Sequence, residues 1–417
     1  MTSPSLEEDA LGATAASTRS PQPINPTGTL AGESRHSTVL PAVEWKGDKP
    51  QLVSSGRSRF EELGELGRGG MGEVVLAKDH DIGRTVALKK LPENCDMGQV
   101  LRFVEEVRAV GKLEHPNIVP VHDVGIDERG RFFFVMKHLQ GETLESIIKK
   151  LQANDPAARA RFTRPVKMQV LLGVLHAVSY AHRQGFVHRD LKPANIMVGP
   201  FGEVTVMDWG IAKRVKNPDG TPAVARGAES SQPVDGAAVS DVLHTRQGAL
   251  VGTPLYMSPE QARGEHDKLD FRSDLYSIAV IFHELVTLQH YLSGRKSLKE
   301  VIDGVQTVLP AFPSIAPKAG AEAAPCELAW FFDHGMAKDP ALRFQTADEM
   351  IEKLQGLLDG KFAVQCTRTA MKRGLWAGLQ GIDKHPAAWM VGGPALGVFA
   401  VASMVWALVS LVRWISG

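Results

Sequence analysis

The spacing of apolar residues predicts strands early in the chain and long helices later. Residues 131–136 are a β-rich run of aromatic and aliphatic side chains, and apolar side chains alternate with polar or small ones through residues 60–78 and 85–89, which is the period of a β-strand. They recur every three or four positions in 100–113 and again in 166–184, which is the period of an amphipathic helix. Gly185 follows the second helical stretch at the position of a helix stop. The pattern predicts an α+β fold with a β-rich first part and a helical second part.

Residues 1–56 follow neither period. They are rich in Ser, Thr, Pro, Gly and Ala, with too few large apolar side chains to offset the entropy of ordering. Glu7, Glu8 and Asp9 lie where a signal peptide would need an apolar core. We therefore predict a disordered tail over 1–56, which is either a solvated linker or a regulatory segment that accepts phosphate.

A long uncharged run lies near the other end of the chain. Residues 387–412 are 26 positions without Asp, Glu, Lys or Arg, and as a helix they would extend about 39 Å, more than a bilayer core. A buried soluble helix is the alternative, but the length of the run favours a transmembrane helix over 387–414, after a linker over 359–386. Basic residues precede the run, which predicts a single pass through the cell membrane with the preceding domain in the cytoplasm. Gly393 and Gly397 could pair two such helices in a homodimer.

The overall composition bears on three questions: a nucleic-acid partner, a cysteine-based metal site and the redox compartment. Lys plus Arg and Asp plus Glu number 47 each in the 417 residues, so the charge balance gives no support to a nucleic-acid partner. The three cysteines, Cys95, Cys326 and Cys366, are scattered without metal-ligand spacing. So sparse a set of cysteines indicates a reducing compartment.

The strongest chemical signal is the stretch 188–195, which reads His-Arg-Asp-Leu-Lys-Pro-Ala-Asn. Asp190 could accept a proton from a hydroxyl group, Lys192 could neutralise a phosphate, and Asn195 could hold a metal ion. This order resembles the catalytic loop of protein kinases, and the lysine after Asp-Leu resembles the Ser/Thr-specific branch. The resemblance implies that Asp190 and Lys192 are catalytic.

A glycine-rich stretch precedes this loop by about 120 residues. Alone, its Gly-x-Gly-x-x-Gly pattern could equally open a Rossmann unit, but the segment after it looks like a second strand instead of a helix. Val74 also completes the form found in protein kinases. The resemblance implies a hairpin that covers the phosphates of ATP. The residues assigned to it are Leu66, Gly67, Arg68, Gly69, Gly70, Met71, Gly72, Glu73 and Val74.

Further parts of an ATP site follow from the same resemblance. The segment 85–89 resembles the kinase strand in which Ala87 lines the adenine pocket and Lys89 reaches the phosphates. Glu106 is the expected partner of Lys89; helix geometry turns Glu105 about 100° away, towards solvent. Met136 would form the back of the adenine pocket and Leu139 would lie in the hinge.

The stretch 208–210 reads Asp-Trp-Gly in the place of the kinase Asp-Phe-Gly. Asp208 and Asn195 are therefore expected to bind Mg²⁺, or Mn²⁺ in its place, beside ATP. Trp209 is bulkier than Phe and carries an N–H group that needs a partner.

The remaining motifs concern activation and structure. A Gly-, Ala- and Ser-rich insertion over 214–246 is followed by a segment at 252–260 that matches the end of a kinase activation segment. Thr245, or one of the nearby serines, is a candidate phosphosite, and Arg189 is the residue that such a phosphate would neutralise. Thr253 should contact the catalytic loop, Asp274 should hold its backbone, and Glu260 should pair with Arg343.

Together the motifs identify the chain as resembling bacterial Hanks-type kinases. The resemblance implies a bilobal kinase domain over 57–358, with a small lobe over 57–137 and a large lobe over 138–358. It implies transfer of the ATP γ-phosphate to Ser or Thr hydroxyls of proteins, including autophosphorylation, and the uncharged run at 387–412 predicts that the enzyme is anchored in the membrane. A membrane-tethered pseudokinase that binds nucleotide or acts as a scaffold is the alternative. A small-molecule kinase is disfavoured by the segment at 252–260.

Overall fold

The computed structural model describes residues 42–53, 58–69, 72–209, 213–214, 253–265, 268–310 and 327–361, with a few isolated residues beyond them. The predicted tail up to residue 39, most of the insertion at 214–246 and most of the predicted span at 387–414 lie outside the described residues. Among the residues that are described, no helix has both the length and the apolar character needed to cross a bilayer.

The small lobe is an antiparallel sheet of five strands. They are β3 (Phe60–Gly69), β4 (Gly72–Asp79), β5 (Arg84–Lys90), β6 (Val121–Ile126) and β7 (Phe132–Lys137). Their spatial order is β3-β4-β5-β7-β6. Side chains that alternate along β4, β5 and β7 form one buried cluster, which includes Ala77, Val86 and Val135. The predicted strands at 60–78, 85–89 and 131–136 are all present.

Helix α1 (Met97–Val110) lies against this sheet. Phe103 packs with Leu91 and Phe134 in a second small cluster. The helix begins three residues before the predicted start because Asp96 caps it. The Asp96 carboxylate accepts from the Gln99 amide at 2.7 Å, and the Gln99 side-chain oxygen accepts from the Asp96 amide at 2.9 Å.

A hairpin precedes the small lobe and corrects one expectation. Strands β1 (Ala42–Lys46) and β2 (Lys49–Val53) pair antiparallel within the stretch that the composition predicted to be disordered. Gly47, at φ 61°, makes the turn between them. Val43 and Trp45 alternate with polar residues but remain 57% and 68% exposed. The alternation of apolar and polar residues in β1 is too short to stand out from the polar, proline-rich composition of the stretch 1–56.

The large lobe is mainly helical. Its helices are α2 (Leu144–Gln152), α3 (Pro156–Arg161), α4 (Arg164–Arg183), α5 (Pro259–Ala262), α6 (Phe271–Thr287), α7 (Leu298–Thr307), α8 (Glu327–Gly335) and α9 (Ala347–Leu358). Helix α6 is buried along nearly its whole length, and α4 buries a face against it and against α9. Gly185, at φ 80°, follows α4, as its position in the sequence predicted.

Short strands carry the catalytic segments at the junction of the lobes. They are β8 (Glu142–Thr143), β9 (Phe186–Val187), β10 (Ile196–Val198), β11 (Val204–Val206) and β12 (Lys213–Arg214). Strand β10 pairs with both β8 and β11, and β9 pairs with β12. The stretch 188–195 therefore connects two fixed strands, and the fold is bilobal with the site between a β-sheet lobe and a helical lobe.

Candidate active site

The loop between β9 and β10 is held from below by Asp274, a buried residue of α6. Its carboxylate accepts from the backbone amides of His188 and Arg189 at 2.8 and 2.9 Å, and from His182 Nε2 at 2.8 Å. Burial alone would raise the pKa of Asp274, but these donors reverse the effect and lower it. The predicted grip of Asp274 on the loop backbone is present.

Two residues missed in the sequence complete this support. His182 donates to Asp274 from the end of α4, and Gln261 Nε2 donates to the Arg189 carbonyl oxygen at 2.8 Å. Both partners lie about 70 residues or more away in the chain, so no local pattern reveals them. The loop needs this support because Arg189 has a left-handed backbone, at φ 67°.

The side chains of the loop converge on Asp190. Lys192 Nζ donates to Asp190 Oδ2 at 2.7 Å, and Asn195 Nδ2 donates to the Asp190 carbonyl oxygen at 2.9 Å. The Asp190 carboxylate is therefore oriented, with a cation beside it, while only 12% of its side chain is exposed. Such a group can accept a proton from a bound hydroxyl while Lys192 balances negative charge nearby.

A second charged group lies across the cleft. Lys89 Nζ on β5 donates to Glu106 Oε1 on α1 at 2.5 Å and to Asp208 Oδ1 at 3.1 Å. Burial would lower the pKa of Lys89, but attraction to Asp208 and Glu106 outweighs it and raises the pKa. Lys89 is thus a fixed cation at neutral pH. Glu105 is exposed and Glu106 is buried, as the kinase resemblance predicted.

Asp208 faces Lys89 from a strained backbone, at φ 61°. Burial would raise the pKa of its carboxyl, but Lys89 outweighs this and lowers it, so the group is ionised at neutral pH. The next residue, Trp209, is fully buried against the His188 ring, with ring centroids 4.5 Å apart. Its Nε1–H donates to the Val206 carbonyl oxygen at 3.4 Å. Trp209 therefore fills the core and displaces no charged group of the site.

The chain matches the family model described as "Protein kinase domain" over residues 60–354. The chain belongs to the protein kinase family.

Three curated proteins to which this kinase chain is similar are bacterial. It is similar to the probable serine/threonine-protein kinase SCO3848 of Streptomyces coelicolor, with 35% identity over 308 residues. It is 33% identical to the probable serine/threonine-protein kinase PknB of Bifidobacterium longum and 30% identical to the serine/threonine-protein kinase PknD of Chlamydia pneumoniae. The matches cover 73, 75 and 72% of this chain but only 40, 41 and 31% of those proteins. The chain thus spans less than half the length of these relatives. Their names and identities confirm the predicted resemblance to bacterial kinases.

Most of the residues predicted to contact ATP lie on β3, β4, β5 and β7. Ala87 is buried on β5 and pairs in register with Met136 on β7. Arg68 forms exposed ion pairs with Glu65 and Glu73. The remaining predicted ATP residues are placed as follows: Leu66, Gly67 and Gly69 are exposed on β3, Gly72 and Val74 are half-buried on β4, Leu139 is half-buried after β7, and Gly70 and Met71 lie outside the described residues.

Gly72 begins the second strand of the hairpin with φ 125°. A Cβ atom there would come within 1.9 Å of the Lys90 carbonyl oxygen, so only glycine fits. Lys90 itself is buried and pairs with Glu62 and Asp127. The alternation along β5 correctly predicted that Lys90 points away from the cleft. It did not predict the ion pairs of Lys90 with Glu62 and Asp127.

The substrate segment begins with a short turn at Thr253–Tyr256 and continues into α5. Glu260 Oε1 and Oε2 accept from Arg343 Nη1 and Nη2, both at 2.8 Å, and Ser273 Oγ donates to Glu260 at 2.6 Å. The predicted bidentate pair is present and buried. Thr245 and the Thr253 side chain lie outside the described residues, so their predicted roles stay predictions.

The donor set at the cleft fits a hard divalent cation. Asp208 offers carboxylate oxygens, and Asn195, whose Nδ2 donates to Asp190, offers its amide oxygen. No cluster of three or more metal-binding side chains occurs in the described part of the chain. Two protein ligands nevertheless suit Mg²⁺ in a nucleotide site, where phosphates and water supply the remaining ligands.

Proposed function

We propose that this chain is a serine/threonine protein kinase that transfers the γ-phosphate of ATP to protein hydroxyls. The observation that carries the proposal is the convergence of two charged groups on one cleft: Lys89 with Glu106 and Asp208, and Asp190 with Lys192 and Asn195. The names of the bacterial relatives support the same activity. A pseudokinase is the alternative, and its activity would stop at nucleotide binding.

Each residue has a role that its geometry allows. Lys89, positioned by Glu106, neutralises phosphate oxygens beneath the glycine hairpin. Asp190 orients the acceptor hydroxyl and takes its proton as the phosphoryl group is transferred, while Lys192 balances the developing charge. Asp208 and Asn195 would hold Mg²⁺, or Mn²⁺ in its place, which supplies charge neutralisation at the β- and γ-phosphates.

The decisive experiment compares Asp190→Asn with the native chain in a labelled-ATP transfer assay. We expect nucleotide binding to be nearly unchanged and phosphotransfer to fall by on the order of 10²-fold or more, because the hydroxyl loses its acceptor. Lys89→Met should lose activity through the missing phosphate contact. Asp303→Asn, an exposed change on α7, is the control and should keep full activity. Binding without transfer by the native chain would establish the pseudokinase instead.

We also propose that the chain is anchored in the cell membrane by residues 387–414, with the kinase domain in the cytoplasm. The support is the uncharged run at 387–412 and the basic residues before it. A homodimer through Gly393 and Gly397 is compatible with this anchor.

The anchor has a direct test in membrane fractions. The native chain should stay in the pellet after carbonate washing, whereas Val401→Arg with Val405→Arg should be released, because two central charges cost several kcal/mol in a bilayer (~2.5–3.5 each). Replacing the same two residues with Leu is the matched control and should leave the protein in the pellet. Retention of the double-Arg variant would contradict the assignment.

A further inference from the structure

One end of the large lobe carries an exposed aromatic side chain at the tip of a fixed turn. Residues 199–203 connect β10 to β11, and Phe201 at their centre is 91% exposed. The Phe201 amide donates to Glu203 Oε2 at 3.0 Å, and Gly202 adopts φ 90°. The turn is therefore shaped by its own hydrogen bonds, and it holds a large apolar ring out in water.

Two helices that flank this turn, α3 and α4, carry basic residues near the point where α3 ends and α4 begins. Arg161 on α3 donates through Nη2 to the Gly199 carbonyl oxygen, which attaches the turn to that helix. Arg159 lies two residues earlier on the same helix, and Arg164 and Lys167 lie in the first turn of α4, which follows α3 after two residues. The stretch 155–169 contains these four cations and a single acid, Asp155, which caps α3. Positive charge is thus concentrated on the two helices that flank the turn, although the whole chain has no net charge; the turn itself contributes one acid, Glu203, which accepts from the Phe201 amide.

The chain also leaves the kinase domain at this end. Gln355 and Asp359, at the end of α9, line the same shallow cavity as Gln169 of α4 and Gly202 and Glu203 of the turn. Asp359 is paired with Lys361 at 3.4 Å. The linker that follows carries Arg368, Lys372, Arg373 and Lys384 before the uncharged run. The exit of the chain and the Phe201 turn therefore share one end of the molecule.

We propose that this basic end surface, defined as Phe201 with Arg159, Arg161, Arg164 and Lys167, docks on the anionic lipid surface of the membrane. The ring enters the boundary between headgroups and acyl chains, and the cations contact lipid phosphates around it. The proposal rests on the membrane anchor proposed above. It adds the orientation of the kinase domain relative to the membrane. The surface near the chain exit faces the bilayer, and the cleft between the lobes therefore keeps a fixed orientation relative to the bilayer.

Cross-linking from position 201 tests the contact. The full chain carrying p-benzoylphenylalanine in place of Phe201 is irradiated in nanodiscs of phosphatidylcholine with and without phosphatidylglycerol. We expect several-fold more lipid adduct in the anionic discs, and a loss of this excess in 0.5 M salt, because screening weakens charge contacts. The matched control carries the same group at Leu342, which is 64% exposed near the opposite end of α9.

A charge-reversal variant tests whether the lipid adduct at position 201 depends on the basic residues or arises from chance proximity to lipid. Arg159→Glu with Arg164→Glu should reduce the adduct at position 201 to the level in phosphatidylcholine, while circular dichroism and transferase activity stay unchanged. Equal adducts at positions 201 and 342, adducts independent of lipid charge, or adducts to a second protein copy would overturn the proposal.

The carbonate wash tests the membrane anchor at 387–414 independently of the docking surface. If the native chain is extracted by carbonate, the anchor at 387–414 is wrong, and the same irradiation is done with added phosphatidylglycerol vesicles. Lipid adducts at position 201 would then still support docking, and their absence would overturn it.

Discussion

Arg189 stands out among the single residues because its charge is largely buried. Its Nε has no hydrogen-bond partner within the described ranges, and burial lowers the pKa of its guanidinium despite the nearby Asp274. A buried cation is costly unless an anion accompanies it. A phosphate on the segment between 214 and 253 would supply that anion and would order the segment at the same time.

We therefore expect phosphatase treatment to lower the activity of the native kinase towards an added substrate. An Arg189→Ala variant should have low activity that phosphatase does not change further, because the phosphate then has no cation to bind. Mapped phosphosites should fall between Thr221 and Thr253. Arg183→Ala, a change of an exposed arginine, is the control and should keep the phosphatase response. Full activity of an unphosphorylated native enzyme would contradict this prediction.

Among single residues, the sequence predicted the polar and charged side chains of the cleft but not the residues that hold the catalytic loop in place. Lys89, Asp190, Asn195 and Asp208 were found because their order and spacing resemble a known family. His182 and Gln261 were not, since each acts through a partner distant in the chain. Whether each site residue has its assigned role stays a prediction until the variants are assayed.

Among the elements, the short strand β8 depends on a glycine. Gly141, just before β8, adopts φ 124°, and a Cβ atom there would lie 2.2 Å from the Val198 carbonyl oxygen on β10. Strand β10 directly follows the catalytic loop, so this close approach ties the hinge region to the strand that positions Asn195.

Gly141→Ala should therefore destabilise the fold by more than the roughly 1–3 kcal/mol expected for an unfavourable φ alone. Gly130→Ala is the matched control, because Gly130 also has positive φ, at 79°, but no atom lies within 4 Å of its Cβ position. Urea unfolding of both variants gives the comparison. Equal losses of stability would show that β10 shifts without cost.

Element types were predictable and element ends were less so. Strands β3, β4 and β5 followed from apolar periodicity, β7 followed from its β-rich run, and helix α4 followed from apolar periodicity and from Gly185. Helix α1 was misplaced by three residues because its start depends on the Asp96 cap instead of on an apolar residue. The hairpin β1–β2 was missed because nine exposed residues give no buried face to detect.

For the whole molecule, the pair of Glu260 and Arg343 joins segments far apart in the chain. Burial would raise the pKa of Glu260, but Arg343 and Ser273 lower it to about 2. Since the folded pKa is below the ordinary value, the stabilisation is complete above about pH 4.5 and is lost as the pH falls through about 2. The difference corresponds to about 3 kcal/mol.

Glu260→Gln should cost roughly 3–5 kcal/mol at pH 7, because the Arg343 charge is then buried alone. The difference from the native protein should shrink as the pH is lowered from 5 to 3, because the Glu260 carboxyl of the unfolded native chain takes up a proton in this range while the folded carboxyl, with its pKa of about 2, stays ionised. Asp359→Asn removes an exposed ion pair and should change stability little at either pH. Urea midpoints across this range provide the measurement, and a constant difference would contradict the assigned pKa.

The bilobal arrangement could be predicted as a whole because the order of the motifs implies it. The basic end surface could not, because its turn, its two helices and the chain exit are brought together only by folding.

The buried pair of Glu260 and Arg343 also affects when the domain can fold during synthesis. Glu260 and Arg343 are 83 residues apart, so at about 5–20 residues per second the ribosome adds the arginine about 4–17 s after the glutamate. During that interval the carboxylate has no counter-ion and stays in water, which keeps the substrate segment from settling on α6. We therefore expect this segment to pack on α6 only after Arg343 has been made, because burial of the carboxylate without its counter-ion is costly.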